Sequence, residues 1–538
     1  MVEGFDARCR ILHIRSPRGL KRCNDSCVAA QIINRTEHNG IPLLWSDIRT
    51  TYSGALIFGV GVQDELARTS GVSHLLEHLV MSQVGEVTIN HNASTDGETL
   101  SFYAQGPAAH VADFLNRVGA SILGLASVTV EAINAETSHI AAELGDGNER
   151  TGSGPLLERF GAATLGLIDL GFPAHRSLAR EDALEWAATW LHAGNAVIAL
   201  SGPVPDGLDI HLPPAHETPV RATPAALPYR RHGWIVGGRL PLATTIEISH
   251  PDRNVKYVTG AVIGRALLEG LRMERHLVYS VDGAGFPLGP DSSSITLVLD
   301  PQPADIFASA EAVLEVIRGL ASEGPSQRLM DRIVEEERNL EEDSDALYAN
   351  LIGAAGRWVR AGVQPLGLDH APIAGVDATE VKQTIAAALD TILVSLGDFD
   401  TDLTPEQVSE RLALPWARDP KGHYESMSST QMFKALMKSD SDTFEPKMFS
   451  KLRGQQIMVD PDRVAWASSD YGLVECRWDD IVLAGHCREC GMWDLTDHTG
   501  GGFVVKPGLW RSGEKLVARF EAKLPPAVRY PVEHAPWH

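Results

Sequence analysis

The spacing of apolar residues divides the chain into segments of different period. In Ser73-His74-Leu75-Leu76-Glu77-His78-Leu79-Val80 the apolar residues recur at helical intervals and two histidines stand four apart. From Val130 to Leu144 there is neither proline nor glycine, and the apolar spacing predicts a second helix. Asn195 to Gly202 reads as a buried strand running into a turn. Between Leu212 and Pro228 five prolines exclude regular structure and predict an extended linker. Past the linker, Thr244 to Ile248 is strand-like, Ala261 to Met273 is helical, and this second region closes near Gly397. The remainder changes character. Short runs at Ile457–Val459, Val464–Trp466, Val474–Trp478, Ile481–Leu483 and Phe503–Val505 predict closely spaced strands, with a closing helix from Lys515 to Leu524. The expected architecture is α+β: a lobe over 1–212, a linker over 213–228, a second lobe over 229–397 and a small β-rich accessory unit over 398–538.

The first helix carries the chemistry. His74, Glu77 and His78 spell H-x-x-E-H, which on a helix puts two imidazoles on one face with a carboxylate beside them. Two histidines supply two ligands of a catalytic zinc, which takes three and leaves a position for water. A carboxylate that is not a ligand can then take the water's proton, and Glu77 is placed for it. A third ligand is offered by the helix over 130–144. Glu136 and Glu143, seven apart, share a face, so one can bind the metal while the other holds a ligand histidine. His139 is a rival on that face.

Asn39-Gly40-Ile41-Pro42-Leu43-Leu44, then Gly59-Val60-Gly61-Val62-Gln63-Asp64-Glu65, then the H-x-x-E-H helix resemble the pitrilysin/insulinase family of zinc peptidases. The resemblance implies Glu143 as the third ligand, Glu136 as its supporting glutamate, and one catalytic Zn2+ per chain. The interval from His78 to Glu143 is shorter than the family's. Asn92-Ala93-Ser94-Thr95-Asp96, leading into Thr99-Leu100-Ser101-Phe102-Tyr103-Ala104, is similar to the family's substrate-side strand, implying that Asn92, Ala93 and Ser94 bind an extended peptide by strand addition. Leu271-Arg272-Met273-Glu274-Arg275-His276-Leu277-Val278-Tyr279 resembles the second-lobe motif. By that resemblance Arg272 and Tyr279 orient substrate and stabilise the oxyanion. Met273 and His276 depart from the family's glutamate and glycine. The family further implies two lobes of similar fold, although no repeat is visible in the letters, and a clamshell of four lobes. The chain is therefore expected to form a homodimer, with a heterodimer beside a related subunit as the alternative. The implied activity is zinc-dependent endopeptidase cleavage of peptides or unfolded segments, of the kind used in peptide maturation or leader removal. The rival expectation is an inactive peptide-binding or scaffold subunit.

Composition adds limits. The chain has 538 residues, 44% hydrophobic and 22% charged, with a formal charge of −23, which disfavours nucleic acid as a partner. No run approaches the roughly 18 apolar residues of a membrane span, and Met1-Val2-Glu3-Gly4-Phe5-Asp6 does not begin a signal peptide. Cys9, Cys23, Cys27, Cys476, Cys487 and Cys490 are too few for a disulfide framework, so a reducing cytoplasm is the expected compartment. Within the C-terminal unit, whose strands resemble a pleckstrin-homology barrel, Cys487 and Cys490 form a C-x-x-C pair near His486, His498 and Cys476, a candidate structural metal site against incidental buried thiols. Glu335 to Asp343 reads as a solvated helix face.

Overall fold

The computed structural model describes residues 32–144, 154–236, 240–341, 343–363, 365, 371–397, 403–417, 434, 441–448, 450–468 and 472–532. In the first lobe the chain runs β1 (Asn34–His38), β2 (Ile41–Trp45), β3 (Ser53–Phe58), α1 (Val72–Val84), β4 (Asn90–Thr95), β5 (Leu100–Gln105), α2 (Ala108–Gly124), α3 (Val130–Leu144), α4 (Pro155–Phe160), α5 (Gly166–Leu170), α6 (Arg180–Trp190) and β6 (Ala196–Leu200). Its sheet has the order β1-β2-β6-β3-β5-β4, with β2 parallel to β6 and antiparallel pairing from β6 to β4. The central strands β3 and β6 are buried at every position, which explains their continuous apolar runs.

The second lobe repeats this plan. Its elements are β7 (Gly233–Val236), β8 (Leu242–Ser249), α7 (Arg253–Leu267), β9 (Val281–Pro287), β10 (Ser292–Leu299), α8 (Ile306–Glu323), α9 (Gln327–Glu341), α10 (Ser344–Ala361), α11 (Ala378–Ala388) and β11 (Leu393–Leu396), with α12 (Pro405–Leu412) after them. The sheet order β7-β11-β8-β10-β9, with β7 parallel to β11 and the rest antiparallel, matches β2-β6-β3-β5-β4 strand for strand. A repeat absent from the letters is thus present in the topology, because two sequences can satisfy one burial pattern with different apolar residues.

The lobes exchange helices. α10 belongs to the second lobe by sequence, yet its Leu347, Leu351 and Ala355 pack against Leu44, Ala55, Ile57, Val197 and Ala199 on the first sheet. Each leucine buried this way contributes about 1.5–3 kcal/mol. In return, α4 lies on the second sheet, where Leu156 and Phe160 meet Phe286 and Leu288. Arg159, fully buried, bonds Glu247 (2.8 Å), Thr245 Oγ1 (2.9 Å) and the Thr391 carbonyl (2.9 Å). The linker is extended, as five prolines require, and Arg221 within it pins it by donating to the Gly59 carbonyl and to Asn195 Oδ1 and by lying 5.0 Å from the Trp190 ring centroid.

The C-terminal unit holds β12 (Asp442–Phe444), β13 (Gln455–Val459), β14 (Arg463–Ser468), β15 (Gly472–Arg477), β16 (Ile481–Cys487), β17 (Trp493–Asp497), β18 (Gly502–Val505), α13 (Gly513–Lys523) and β19 (Arg529–Val532) in two four-stranded sheets. Its core of Trp478, Trp493, Trp510 and Phe520 closes around α13. It does not stand apart: Leu483 and Tyr530 share a cluster with Val62, Ala67, Leu157, Leu167 and Leu170 of the first lobe, and the His498 carbonyl accepts from the Ala162 amide at 2.9 Å. The acidic run on α9 also departs from a purely solvated face, since Glu337 is only 7% exposed and takes a hydrogen bond from the Tyr257 hydroxyl. No helix of the described residues is long and apolar enough to cross a membrane.

Removing Arg159 leaves Glu247 and the surrounding carbonyls without their buried cation. Arg159→Ala is therefore expected to lower unfolding stability by about 3–5 kcal/mol, measured by urea denaturation. A loss below about 1 kcal/mol, the range of an exposed pair, contradicts the helix exchange as a main stabiliser.

Candidate metal centre

Helix α1 begins at a fixed point. Gly71 precedes it at φ 96°, a left-handed conformation that suits glycine, and a Cβ there would press to 3.1 Å on the Phe172 ring. Its first amides are capped from a distance: Glu65 Oε2 accepts from the Gly71 amide (2.7 Å) and Oε1 from the Ser73 amide (2.8 Å). The Ser73 hydroxyl in turn accepts from Trp186 Nε1 at 3.0 Å. Glu65 is wholly buried, which pushes its carboxyl up to about 7 against the pull of those amides.

Beneath Leu75, Leu76, Leu79 and Val80, which fill the first-lobe core, the polar face of α1 meets α3. His74 Nε2 and His78 Nε2 stand 3.2 Å apart, and Glu143 Oε2 lies 3.6 Å from the first and 3.4 Å from the second. Three atoms bound to a tetrahedral zinc at about 2.0–2.1 Å are separated from one another by about 3.3 Å. The triangle thus has the size of one face of a zinc coordination shell, and the donor set of two imidazoles and one carboxylate suits that ion. Among the described residues this is the group of histidine, cysteine and acidic side chains whose ligand atoms converge to within 4.8 Å. Burial, then the neighbouring His78 and His175, brings His74 down to about 4, which keeps its imidazole neutral.

The alternatives on α3 separate here. Glu136 Oε2 lies 3.3 Å from His78 Nδ1, on the ring's far side from Glu143, and orients that imidazole. His139, 69% exposed, sits 3.1 Å from the same Glu136 oxygen and takes no place in the triangle. Glu77 is directed by Thr95, whose Oγ1 donates to Glu77 Oε2 at 2.7 Å. Burial raises the Glu77 carboxyl, opposed by the Thr95 bond. Asn92, Ala93 and Ser94 lie on β4, which among the described residues pairs only with β5 and leaves its other backbone edge open, with Asn92 and Ser94 exposed and Ala93 facing the core. Asn92 stands opposite Tyr103, whose phenol is raised by burial.

The second-lobe pair is elsewhere. Arg272 lies in a π-helical extension of α7 over Leu268–Glu274, its guanidinium 4.8 Å from the Tyr279 ring centroid. Tyr279 is 74% exposed, and its amide donates to Asp300 Oδ1 at 2.8 Å. His276, where the resembling motif has glycine, adopts φ 56° and brings Nδ1 to 3.1 Å from the Arg272 carbonyl, so the turn keeps its left-handed residue. Among the described residues no hydrogen bond, ion pair or ring contact joins Arg272 or Tyr279 to the histidine triangle. Cys487 and Cys490 gather no third ligand among the described residues, and His486 stacks on Trp493 at 4.3 Å instead. Cys9, Cys23 and Cys27 lie outside the described residues. Glu65 and Thr95 are the participants that spacing alone did not single out, because each acts through a contact distant in sequence.

No family model matches the chain, and no curated protein does. Solved structures do match. A chain of Complex III2 from Candida albicans covers 70% of this chain and 99% of its own length, at a TM-score of 0.55 and 16% identity. A protease from Helicobacter pylori matches at 0.55 and 13%, covering 68% of this chain and all of its own. A putative M16-like peptidase from Alicyclobacillus acidocaldarius matches at 0.52 and 16%, covering 70% and 100%. The chain has an insulinase/pitrilysin-type fold.

The Glu65 cap makes the stability of this insulinase-type lobe depend on pH. A carboxyl whose folded value is raised holds its proton longer folded than unfolded, so its contribution is complete below about 4.5 and is lost as pH rises through about 7. Glu65→Gln keeps a neutral side chain at all pH. The stability of wild type minus that of Glu65→Gln should therefore fall across this window in metal-free protein, followed by denaturant midpoints. A difference that rises with pH refutes the assignment.

Proposed function

We propose that the chain is a zinc-dependent endopeptidase, with His74, His78 and Glu143 holding the metal. The observation that carries this reading is the zinc-sized triangle of ligand atoms with the Glu77 carboxylate on the same helix face. Zinc, when bound, polarises a water and lowers its pKa towards about 7. The remaining work belongs to the chain. Glu77 takes the water's proton at Oε1, since Oε2 already accepts from Thr95, and returns it to the amide nitrogen as the peptide bond breaks. The open edge of β4 receives the substrate as an added strand, with main-chain bonds supplying affinity and Asn92 and Ser94 facing it.

Arg272 and Tyr279 present a half-buried cation and an exposed phenol for the charge that develops on the scissile carbonyl oxygen. Since they lie apart from the triangle, we assign them to the zinc lobe of a second subunit in a two-fold pair. The solved neighbours include both proteases and a component of Complex III2, so the fold accommodates catalysis and assembly alike. An inactive scaffold is the reading that loss of the ligands or of Glu77 would favour, and all four residues are present.

Glu77→Gln is expected to retain about one zinc per chain and lose peptide cleavage by about 10²–10⁴-fold, measured by metal analysis and a quenched fluorogenic peptide library. Glu143→Gln should release zinc while His139→Ala should not. Cleavage surviving in Glu77→Gln sinks the mechanism, and zinc loss confined to His139→Ala moves the third ligand.

For the pairing, Glu77→Gln subunits are mixed with Arg272→Ala subunits and allowed to exchange. Half the dimers become mixed and each keeps one intact site of two, so about a quarter of wild-type activity should return. Verified exchange with no recovery places both motifs in one chain or brings in a different partner.

A further inference from the structure

Arg360 stands on the last turn of α10, the helix that the second lobe lends to the first, and its side chain is 13% exposed. A cation suits this end of a helix, where the carbonyl dipoles point. Its guanidinium takes hold of two loops of the first lobe at once. Nη1 and Nη2 reach the two oxygens of Asp64 at 2.7 and 3.1 Å, a bidentate pair at a carboxylate that is 4% exposed. Nη1 also donates to the Glu98 carbonyl at 2.9 Å, and Nε lies 3.1 Å from Glu98 Oε1.

These two loops are themselves locked together. The Val62 and Gln63 amides donate to the Asp96 and Gly97 carbonyls at 3.0 and 3.1 Å. Gly61 has no room for a side chain, because a Cβ would fall 2.4 Å from the Asp96 carbonyl oxygen. Asp96 closes the β4–β5 turn by accepting from the Glu98 and Thr99 amides at 2.7 and 2.6 Å. On α10, Gly356 faces Thr99, where a Cβ would come to 3.3 Å of Thr99 Cγ2. The residue immediately before this turn is Thr95, the donor to Glu77.

We infer that Arg360 is a positioning residue for Glu77, fixing the β4–β5 turn across the lobe boundary so that Thr95 holds the carboxylate in line. The inference rests on Glu77 acting as the base of the proposed reaction. It makes the second lobe's helix part of the catalytic apparatus of the first, and links the two lobes' packing to turnover. A base misplaced by a fraction of an ångström transfers protons more slowly without altering what the substrate's backbone binds.

The test uses the full chain and the variants Arg360→Gln, Arg360→Lys, Thr95→Val and the pair Arg360→Gln with Thr95→Val. Hydrogen exchange at the Glu98 and Thr99 amides, which donate to Asp96, is measured first, without added metal or peptide. Arg360→Gln should speed it at least about tenfold. In zinc-loaded protein, Arg360→Gln should then lower kcat on a quenched fluorogenic peptide by about 10–100-fold, with KM and zinc content unchanged. Arg360→Lys, which keeps the charge, should restore part of the loss. In the double variant kcat should fall no further than in Thr95→Val alone, since both act through one bond. Unchanged exchange at the turn, losses that multiply in the double variant, or a kcat loss matched by zinc loss each overturn the positioning role in an active enzyme. A wild-type chain that binds zinc yet cleaves no peptide fails differently: it removes Glu77 as a base and the inference with it.

Discussion

The site depends on one constraint, the fixing of helix α1 at its N-terminal end. A triangle of ligand atoms the size of one face of a zinc coordination shell, about 3.3 Å on a side, tolerates little rotation of a helix whose residues stand 100° apart. Glu65 supplies the fixing by accepting from the two amides at the start of the helix, while Gly71 permits the chain to enter at φ 96°. A buried carboxylate at that point is favoured by the helix dipole and disfavoured by desolvation, and the raised affinity of Glu65 for a proton shows that desolvation weighs more. The leucines on the opposite face of α1 then set the rotation, since they have one pocket between α2, β4 and the sheet.

A second constraint is that neither sheet covers both of its own faces. The first sheet is finished by α10 and the second by α4, so each lobe's core is completed by the other's helix. This makes the linker's extended conformation sufficient: with the lobes already interlocked, residues 213–228 need only span the distance, and Arg221 anchors them through a carbonyl and an indole face. The C-terminal unit leans on the same region, with Leu483 and Tyr530 against Val62 and Ala67, the segment that leads to Glu65 and α1. A domain with none of the proposed ligands thereby shares a core with the loop that caps the helix of His74 and His78.

How much of this was legible follows from the range of each interaction. The α1 and α3 helices and the spacing of His74, His78, Glu136 and Glu143 are local periodicities, and the period alone puts each pair on one face of its own helix. β6, β8, β13, β14 and β16 were legible for the same reason, as apolar runs between turn residues. β17 and β19 were not, because Trp493–Asp497 mixes acids into its pattern and Arg529–Val532 is too short to show one. Periodicity left Glu143 and His139 near one face of α3, and the choice of Glu143 came from the family resemblance; the crossing of α3 on α1 brings Glu143, and not His139, close to the histidines. The helix exchange was invisible, since nothing in α10 distinguishes an apolar stripe meant for its own sheet from one meant for its neighbour's. Glu337 was misjudged likewise, as a run of acids hides the one that turns inward to Tyr257.

The two lobes share a topology and differ in what the equivalent helix carries. α1 and α7 each follow the second strand of the matched plan and precede a hairpin, but α1 ends at Gly85, whereas α7 runs on through seven residues of π-helix. A π-turn widens the helix and weakens its hydrogen bonding, so it persists only where surrounding contacts hold it. Here Leu268 and Leu271 are buried on one side, the Leu277 amide donates to the Leu271 carbonyl at 2.8 Å, and His276 accepts a left-handed backbone at the exit. The outcome is that Arg272 and Tyr279, seven residues apart, meet face to ring on the surface rather than in the core. An ordinary helix continued to Tyr279 would put these two nearly two turns apart along its axis, beyond stacking distance. The extension and its left-handed stop are therefore what convert a spacing of seven into a contact, and they account for a duplicated fold presenting a metal-sized triangle in one lobe and a paired cation and phenol in the other.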